Sequence, residues 1–401
     1  MIISKKQVLW FFIVHLLIVA AISSLGYYPL ILVILVFYYI GLIVERKSSV
    51  HMMFFLGYTT FIFLPAMLNW YYLDISLDLF YLTSFVAVFF LLQTRNTKVQ
   101  TFIDKGNFLR FVFILSCLTS VFFIFIGLPK VVTYIFAFLI ILMSMSFKQD
   151  RLIHNSFYFS LFMLVFLTYI LFGWNGFGRT VTMSWLLLAL LQFLYSINLN
   201  INKFIFSILP GVSASLLSSR DLFNLEFKGL EQSLYDSAYG PYRLASTFID
   251  SFNLYGYDQS GFWDQITFTF LVFIPRSIWP NKPFGFGFEY TVRNLDTSLV
   301  EAGHSIAATL IGEHIYFLGY IGIITSILVL SIIAWFTNIL YKLPGMNGNA
   351  VIIFSASMMA LVWGGMSSFS ARVILPSIVF LILFFIFRKF FNNNYSIVRR
   401  I

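Results

Sequence analysis

The chain has very few charged residues. Only 10% of its 401 residues are Asp, Glu, Lys or Arg, whereas 60% are hydrophobic and 20% are aromatic. Soluble domains carry charge on about 25% of their residues, so this composition excludes the soluble classes. Apolar runs of about 17 to 22 residues recur from Val8 to Phe387, and each is long enough to cross ~30 Å of hydrocarbon as a helix. We therefore expect an all-α polytopic membrane protein.

Cysteine and closely paired acids are also scarce. Cys117 is the only cysteine and lies within an apolar run, which excludes an internal disulfide and a cysteine metal cluster. The sequence contains no Asp-x-Asp pair and nothing else that resembles a cage of oxygen ligands for a divalent cation. We therefore expect chemistry that uses neither a metal ion nor another cofactor.

The apolar runs predict about twelve transmembrane helices. The first resembles a signal peptide but lacks a small-residue cleavage site, so we expect it to be retained as a helix. Most of the 25 lysines and arginines fall in alternate breaks between the runs, which assigns those breaks and both termini to the cytoplasm. Orientation, and not nucleic-acid binding, then explains the net charge of +9. The predicted spans are approximately 8–24, 27–44, 52–70, 75–93, 108–128, 131–147, 156–174, 180–197, 204–219, 317–339, 350–366 and 373–390.

One long polar segment interrupts this succession of short loops. It divides the chain into an N-terminal transmembrane region, 1–219, an external segment with amphipathic or interfacial helices, 220–316, and a C-terminal transmembrane region, 317–401. The two halves of the chain show no matching pair of interrupted helices, which inverted-repeat transporters usually have. The polar residues concentrate instead at one membrane face, which favours chemistry at that face.

Basic residues on the external side oppose the positive-inside bias. The planar guanidinium group matches the geometry of phosphate, so several arginines at one face suit a lipid diphosphate. We expect Arg179 and Arg372 to lie in very short loops at the start of apolar helices, where an uncompensated charge is costly. Pairing with nearby acids or with lipid phosphates is the alternative. The candidate diphosphate ligands are Arg179, Arg243, Arg276, Lys282 and Arg372.

The stretch FIPRSIWPNKPFGFG, residues 273–287, combines three prolines with two of these cations. The preceding run is too short to span a membrane, so we expect residues 267–275 to form an interfacial helix that Pro275 ends. Prolines stiffen the turn that presents Arg276 and Lys282, while Gly285 and Gly287 loosen its end. A purely structural proline-rich turn is the alternative.

Two residues downstream are candidates for the catalytic base. A helix that begins near Ser305 places Glu313 among apolar contacts and leaves His304 at or before the first turn. Histidine titrates near neutral pH, so His304 is the first candidate and Glu313 the second. A surface or capping role for His304 is the alternative.

Aromatic residues of the external segment suggest a site for a sugar. Sugar rings stack against aromatic faces, and Tyr242, Trp263 and Trp279 are the candidates for contact with an acceptor sugar. The alternative is that half-buried amphipathic helices use these side chains for packing.

Several short motifs resemble one bacterial family. PRSIWPNKP at 275–283, GHS at 303–305 and TLIGEHIYFLGYIG at 309–322 resemble the O-antigen and polysaccharide repeat-unit polymerases of the Wzy type. Arg276 and Gly287, with ten residues between them, match the arginine and glycine spacing of that family. GFGRT around Arg179 and SFSARV around Arg372 resemble two further arginine positions.

The resemblance implies a GT-C-like membrane glycosyltransferase of the bacterial inner membrane with one large periplasmic loop. Its substrates would be two oligosaccharides linked to undecaprenyl diphosphate, one the donor and the other the acceptor. A chain-length-determinant protein and membrane lipids are the implied partners, and nucleic acid is not one. An O-antigen ligase shares the same logic with another acceptor, and a lipid-linked oligosaccharide flippase shares the substrate; both remain alternatives.

Overall fold

The computed structural model describes residues 49–63, 65–66, 78–79, 82–83, 86, 106–148, 151–174, 179–197, 230–251, 254–294, 306–341 and 350–392. Within these ranges the side chains of 106–107, 130, 179, 181, 230–239 and 384–392 are not described. The predicted spans 8–24, 27–44 and 204–219 lie outside the described residues, as do most of 75–93 and His304.

The regular elements of the described residues are all helical. A five-residue π-helical turn, Thr59–Phe63, follows the first of them. In chain order the helices are α1 Ser49–Tyr58, α2 Gly106–Phe125, α3 Pro129–Ser146, α4 Leu152–Phe172, α5 Arg179–Ser196, α6 Leu230–Asp250, α7 Gln259–Leu271, α8 Phe286–Asn294, α9 Thr309–Leu318, α10 Ile321–Leu340 and α11 Val351–Asn392.

Four segments are long and apolar enough to cross a membrane. They are Phe108–Phe125, Leu152–Phe172, Ile321–Leu340 and Val351–Leu383, and shorter apolar stretches occur in α1, α3 and α5. The expected class is therefore confirmed at the coarse level of a helical protein with segments able to span a membrane. The count of about twelve spans stays a prediction.

Helices α3, α4 and α5 pack side by side through aromatic rings. Phe136 of α3 lies edge-on to Phe162 and Tyr169 of α4, with centroid distances of 6.0 and 5.4 Å. Phe159 of α4 stacks on Phe193 of α5 at 4.7 Å. These contacts pair the first half of α3 with the end of α4 and the start of α4 with the end of α5, so the start of α3, the end of α4 and the start of α5 meet at one end of the bundle.

The central helix α11 packs against α1, α3, α5, α7 and α9 and is broken once. Gly364 and Gly365 leave helical geometry, the second with φ 71° and ψ −158°, and the helix resumes at Met366. The prediction of a loop between 366 and 373 is therefore wrong, because Arg372 lies within the helix. The hydroxyl of Ser370 donates to the carbonyl of Ser367 at 3.1 Å, which shows how a serine of this polar stretch is accommodated within a helix.

Three further expectations about the external segment are wrong. The sequence predicts a helix over residues 267–275, but helix α7 ends at Leu271, four residues before Pro275. It begins at Gln259, because the Asp258 carboxylate accepts the Gly261 N–H. Gly287 lies inside α8, where a Cβ atom would overlap the carbonyl oxygen of Ile306, so it permits a close approach and does not loosen the chain. Helix α9 begins at Thr309 and not near Ser305.

Candidate functional site

A cavity of about 620 Å³ lies where α3 begins, α4 ends and α5 begins. Tyr134, Tyr169 and Thr182 line it from these three helices. A further wall comes from α11 on both sides of its break. The rest comes from α7, the turn that follows it, the start of α8 and Ile306. This volume falls within the range of about 300–1,000 Å³ that is typical of small-molecule sites.

Three of the five predicted cations line this cavity, namely Arg276, Lys282 and Arg372. The described residues that line it include neither Asp nor Glu. Because nearby positive charges reinforce one another in a cleft with low-dielectric walls, the cavity favours an anionic ligand. Arg179 is the first residue of α5, but its side chain is not among those that the structure describes. Arg243 is exposed on α6 and does not line the cavity.

The Arg276 side chain donates hydrogen bonds to backbone carbonyls within its own proline-rich turn. Its Nη1 donates to the carbonyl of Lys282 at 2.6 Å and its Nη2 to that of Pro283 at 3.1 Å, while the carbonyl of Pro280 lies 3.4 Å from Nη1. The guanidinium lies 3.6 Å from the ring centroid of Phe284. A guanidinium has five N–H donors, so these carbonyls leave donors for a ligand.

Lys282 holds the end of α7 in return. Its Nζ donates to the carbonyls of Val272 and Ile274 at 2.6 and 2.9 Å and lies 5.5 Å from the ring centroid of Phe268. Burial, and after it the positive charge of Arg276, lower the pKa of Lys282 below its usual value. Arg276 and Lys282 thus both stabilise the proline-rich turn, each by donating to its backbone carbonyls.

Arg372 approaches the cavity from the second half of α11. Its Nη1 donates to the carbonyl of Ser368, one turn earlier, at 2.8 Å, and its guanidinium lies 5.7 Å from the ring centroid of Trp363. Ser367, Ser368 and Trp363 also line the cavity. The arginine therefore contacts a carbonyl from the second half of α11 and an aromatic ring from the first half.

Glu313 lies behind this wall and is not among the residues that line the cavity. Its side chain is buried, and its Oε2 and Oε1 accept the backbone N–H groups of Met366 at 2.5 Å and Ser367 at 3.3 Å. The carboxylate predicted as a second candidate base thus contacts the first residues after the break in α11.

The three predicted sugar contacts are not among the residues that line the cavity. Tyr242 is fully buried in α6, Trp263 is 69% exposed on α7, and Trp279 is half-buried in the proline-rich turn. None of them lines the cavity, whose aromatic residues come mainly from other elements. Sequence reasoning missed the aromatic residues of the cavity that lie inside apolar runs, although several of them are about one turn from a polar break. These missed residues are Tyr134, Phe136, Tyr169, Trp185, Phe268 and Trp363.

A polar cluster braces the side of the site that α7 and α8 form. The buried Gln265 donates to the Phe284 carbonyl at 2.9 Å and accepts the Phe286 N–H at 2.8 Å, which joins α7 to the start of α8. Arg293 pairs with Asp258 and, at 2.7 Å, with Glu289. Burial would raise the pKa of Asp258, but hydrogen bonds from Ser260 and Gly261 and the charge of Arg293 lower it below its usual value.

The pKa of Glu289 shifts in the opposite direction to that of Asp258. Burial raises its pKa above the usual value, although Arg293 lowers it in part. Both carboxylates belong to this brace and neither lines the cavity.

No family model matches the chain, and no curated protein or solved structure matches it either.

Proposed function

We propose that the chain is a membrane glycosyltransferase that polymerises undecaprenyl-diphosphate-linked oligosaccharide repeat units into O-antigen or a related surface polysaccharide. The observation that supports the proposal most strongly is the single cavity that Arg276, Lys282 and Arg372 share, with no acid among its described lining residues. A diphosphate carries several negative charges that such a set of cations neutralises. The resemblance of the motifs around Arg276 and Arg372 to repeat-unit polymerases adds the substrate class.

The position of the cavity agrees with an external active site. It lies at the end of the bundle that carries the breaks at 126–128 and 173–178, and the distribution of basic residues assigns those breaks to the external face. In a bacterial inner membrane that face is periplasmic, with both termini in the cytoplasm. A lipid carrier with its diphosphate at the head-group level would reach the cavity from the outer leaflet.

The reaction needs few groups. A hydroxyl oxygen of the acceptor sugar attacks the anomeric carbon of the donor, and the bond from that carbon to the diphosphate oxygen breaks. The electron pair leaves with undecaprenyl diphosphate, and the hydroxyl proton passes to a base, for which His304 remains our candidate. Negative charge on the leaving group increases as the bond breaks, so fixed cations stabilise the transition state more than the ground state.

The described residues divide the cavity into two chemical parts. Arg276, Lys282 and Arg372 supply positive charge for the diphosphate, and one well-placed donor of this kind contributes about 3 kcal/mol. Tyr134 and Tyr169 lie on the α3 and α4 walls, where aromatic faces suit a sugar ring. We place the sugar next to the diphosphate against these tyrosines, in place of Tyr242, Trp263 and Trp279.

Purified protein should convert one lipid-diphosphate repeat unit into a ladder of longer products, also in the presence of EDTA. Arg276→Ala should slow ladder formation by about 100-fold or more, because a donor aimed at the leaving group is lost. The matched control is Arg151→Ala, since Arg151 is exposed at the opposite end of α4, about 27 Å along the helix from Tyr169.

The products distinguish the competing functions. Transfer of the glycan only to another acceptor lipid would indicate a ligase, and movement of the substrate across a bilayer without a new bond would indicate a flippase. Either result, or equal ladders from Arg276→Ala and Arg151→Ala, would contradict the proposal.

A further inference from the structure

The break in helix α11 leaves backbone N–H groups at the start of its second half that need hydrogen-bond acceptors. A helix that restarts inside a buried environment has backbone N–H groups without intrahelical acceptors, and each is costly if it stays unsatisfied. Met366 and Ser367 carry two of these N–H groups at the start of the second half of α11. Their acceptors are the two carboxylate oxygens of Glu313 on α9. In its ionised form the carboxylate also places negative charge where the helix dipole favours it.

The glycines at the break leave room for this carboxylate. A Cβ atom on Gly365 would overlap Oε2 of Glu313, and a Cβ atom on Gly364 would approach the hydroxyl of Ser368. The φ of 71° at Gly365 belongs to a region that glycine adopts far more readily than other residues. Gly365 therefore leaves open the space that the Glu313 carboxylate occupies.

Helix α9 in turn holds Glu313 in place. All of its residues from Thr309 to Phe317 are buried, and it packs against α6, α7, α10 and α11. Gly312, next to Glu313, allows a close approach to α6, because a Cβ atom there would lie 2.6 Å from the Cβ of Ala245. The carboxylate thus projects from a helix that its neighbours fix on several sides.

The same contacts lead to the cavity. Ser367 follows directly after the first capped residue, and Ser367 and Ser368 line the cavity. The carbonyl of Ser368 accepts Nη1 of Arg372 at 2.8 Å. We infer that Glu313 is a positioning residue, whose carboxylate caps the second half of α11 and so fixes Arg372 toward a diphosphate in the cavity. The part of this inference that concerns the diphosphate rests on the proposed function.

Hydrogen–deuterium exchange of the purified full chain tests the cap without any ligand. In Glu313→Ala the amides of residues 366–371 should exchange at least about tenfold faster, equivalent to ~1.4 kcal/mol of local opening. Glu313→Gln keeps one acceptor oxygen and should give an intermediate increase. Glu289→Gln is the matched control, because Glu289 is a half-buried carboxylate that pairs with Arg293 and lies away from the break.

Binding of undecaprenyl diphosphate by the same variants tests the positioning. Affinity should fall in the order wild type, Glu313→Gln, Glu313→Ala, parallel to the exchange rates, whereas a catalytic base would affect turnover and leave binding intact. Unchanged exchange in Glu313→Ala would overturn the inference, and so would faster exchange with unchanged binding. If the wild-type protein binds no undecaprenyl diphosphate and forms no polymer, the proposed function fails, and the exchange comparison still decides whether Glu313 is the cap.

Discussion

Gly365→Ala is the substitution whose effect follows most directly from the coordinates. The new methyl group would overlap Oε2 of Glu313, and the backbone at φ 71° and ψ −158° is a conformation that alanine rarely adopts. The backbone strain costs about 1–3 kcal/mol. Displacement of the carboxylate loses at least one charge-assisted hydrogen bond, worth about 1.5–3 kcal/mol. We therefore expect a loss of at least ~2.5 kcal/mol in the free energy of unfolding.

Gly127→Ala is the matched control for this prediction. Gly127 also has a positive φ, 81°, but no atom lies within 4 Å of the position that its Cβ would take. It should therefore lose only the conformational part, about 1–2 kcal/mol. Unfolding midpoints measured in one detergent should fall clearly further for Gly365→Ala than for Gly127→Ala. Equal midpoints would refute the claim that the Glu313 carboxylate occupies the break in α11.

Two further predictions concern the external segment. Lys282→Met should lower the free energy of unfolding by about 2 kcal/mol, because the carbonyls of Val272 and Ile274 lose their charged donor. Lys282→Arg should recover part of this stability. A Lys282→Met variant as stable as the wild type would contradict the role of Lys282 in holding these carbonyls. The pKa of Asp258 is lowered in the folded chain, so its stabilising contribution is complete above the unfolded pKa of about 3.9 and is lost as the pH falls through the lower folded pKa. The free energy of unfolding of Asp258→Asn should therefore equal that of the wild type at low pH and be lower near neutral pH. A difference between the two proteins that does not change with pH would contradict this role of the Asp258 carboxylate.

Hydrophobic periodicity predicted the helices of the apolar runs well. Helices α2 to α5 lie close to their predicted bounds, because long apolar runs between polar breaks allow few other arrangements. The same reasoning failed where polar residues lie inside a helix. The serines before Arg372 suggested a loop, but the hydroxyl of Ser370 bonds to a helix carbonyl, and the break falls instead at two glycines within an apolar run.

The cations of the cavity were easier to predict than its other walls. Arg276, Lys282 and Arg372 are conspicuous because charge is rare in this chain and costly near a membrane. The aromatic walls could not be predicted, since Tyr134 and Tyr169 look like ordinary residues of apolar helices until α3 and α4 are packed together. Glu313 was recognised as unusual, but its role depends on a contact with Met366, 53 positions away, which no local pattern encodes.

Binding of undecaprenyl diphosphate to the purified protein in lipid nanodiscs tests the central claim most directly. The cavity should bind the diphosphate at least about tenfold more tightly than undecaprenyl monophosphate, and the double variant Arg276→Ala/Arg372→Ala should lose this preference. Equal affinity for the two lipids, or a double variant that retains the wild-type preference, would contradict a shared diphosphate site.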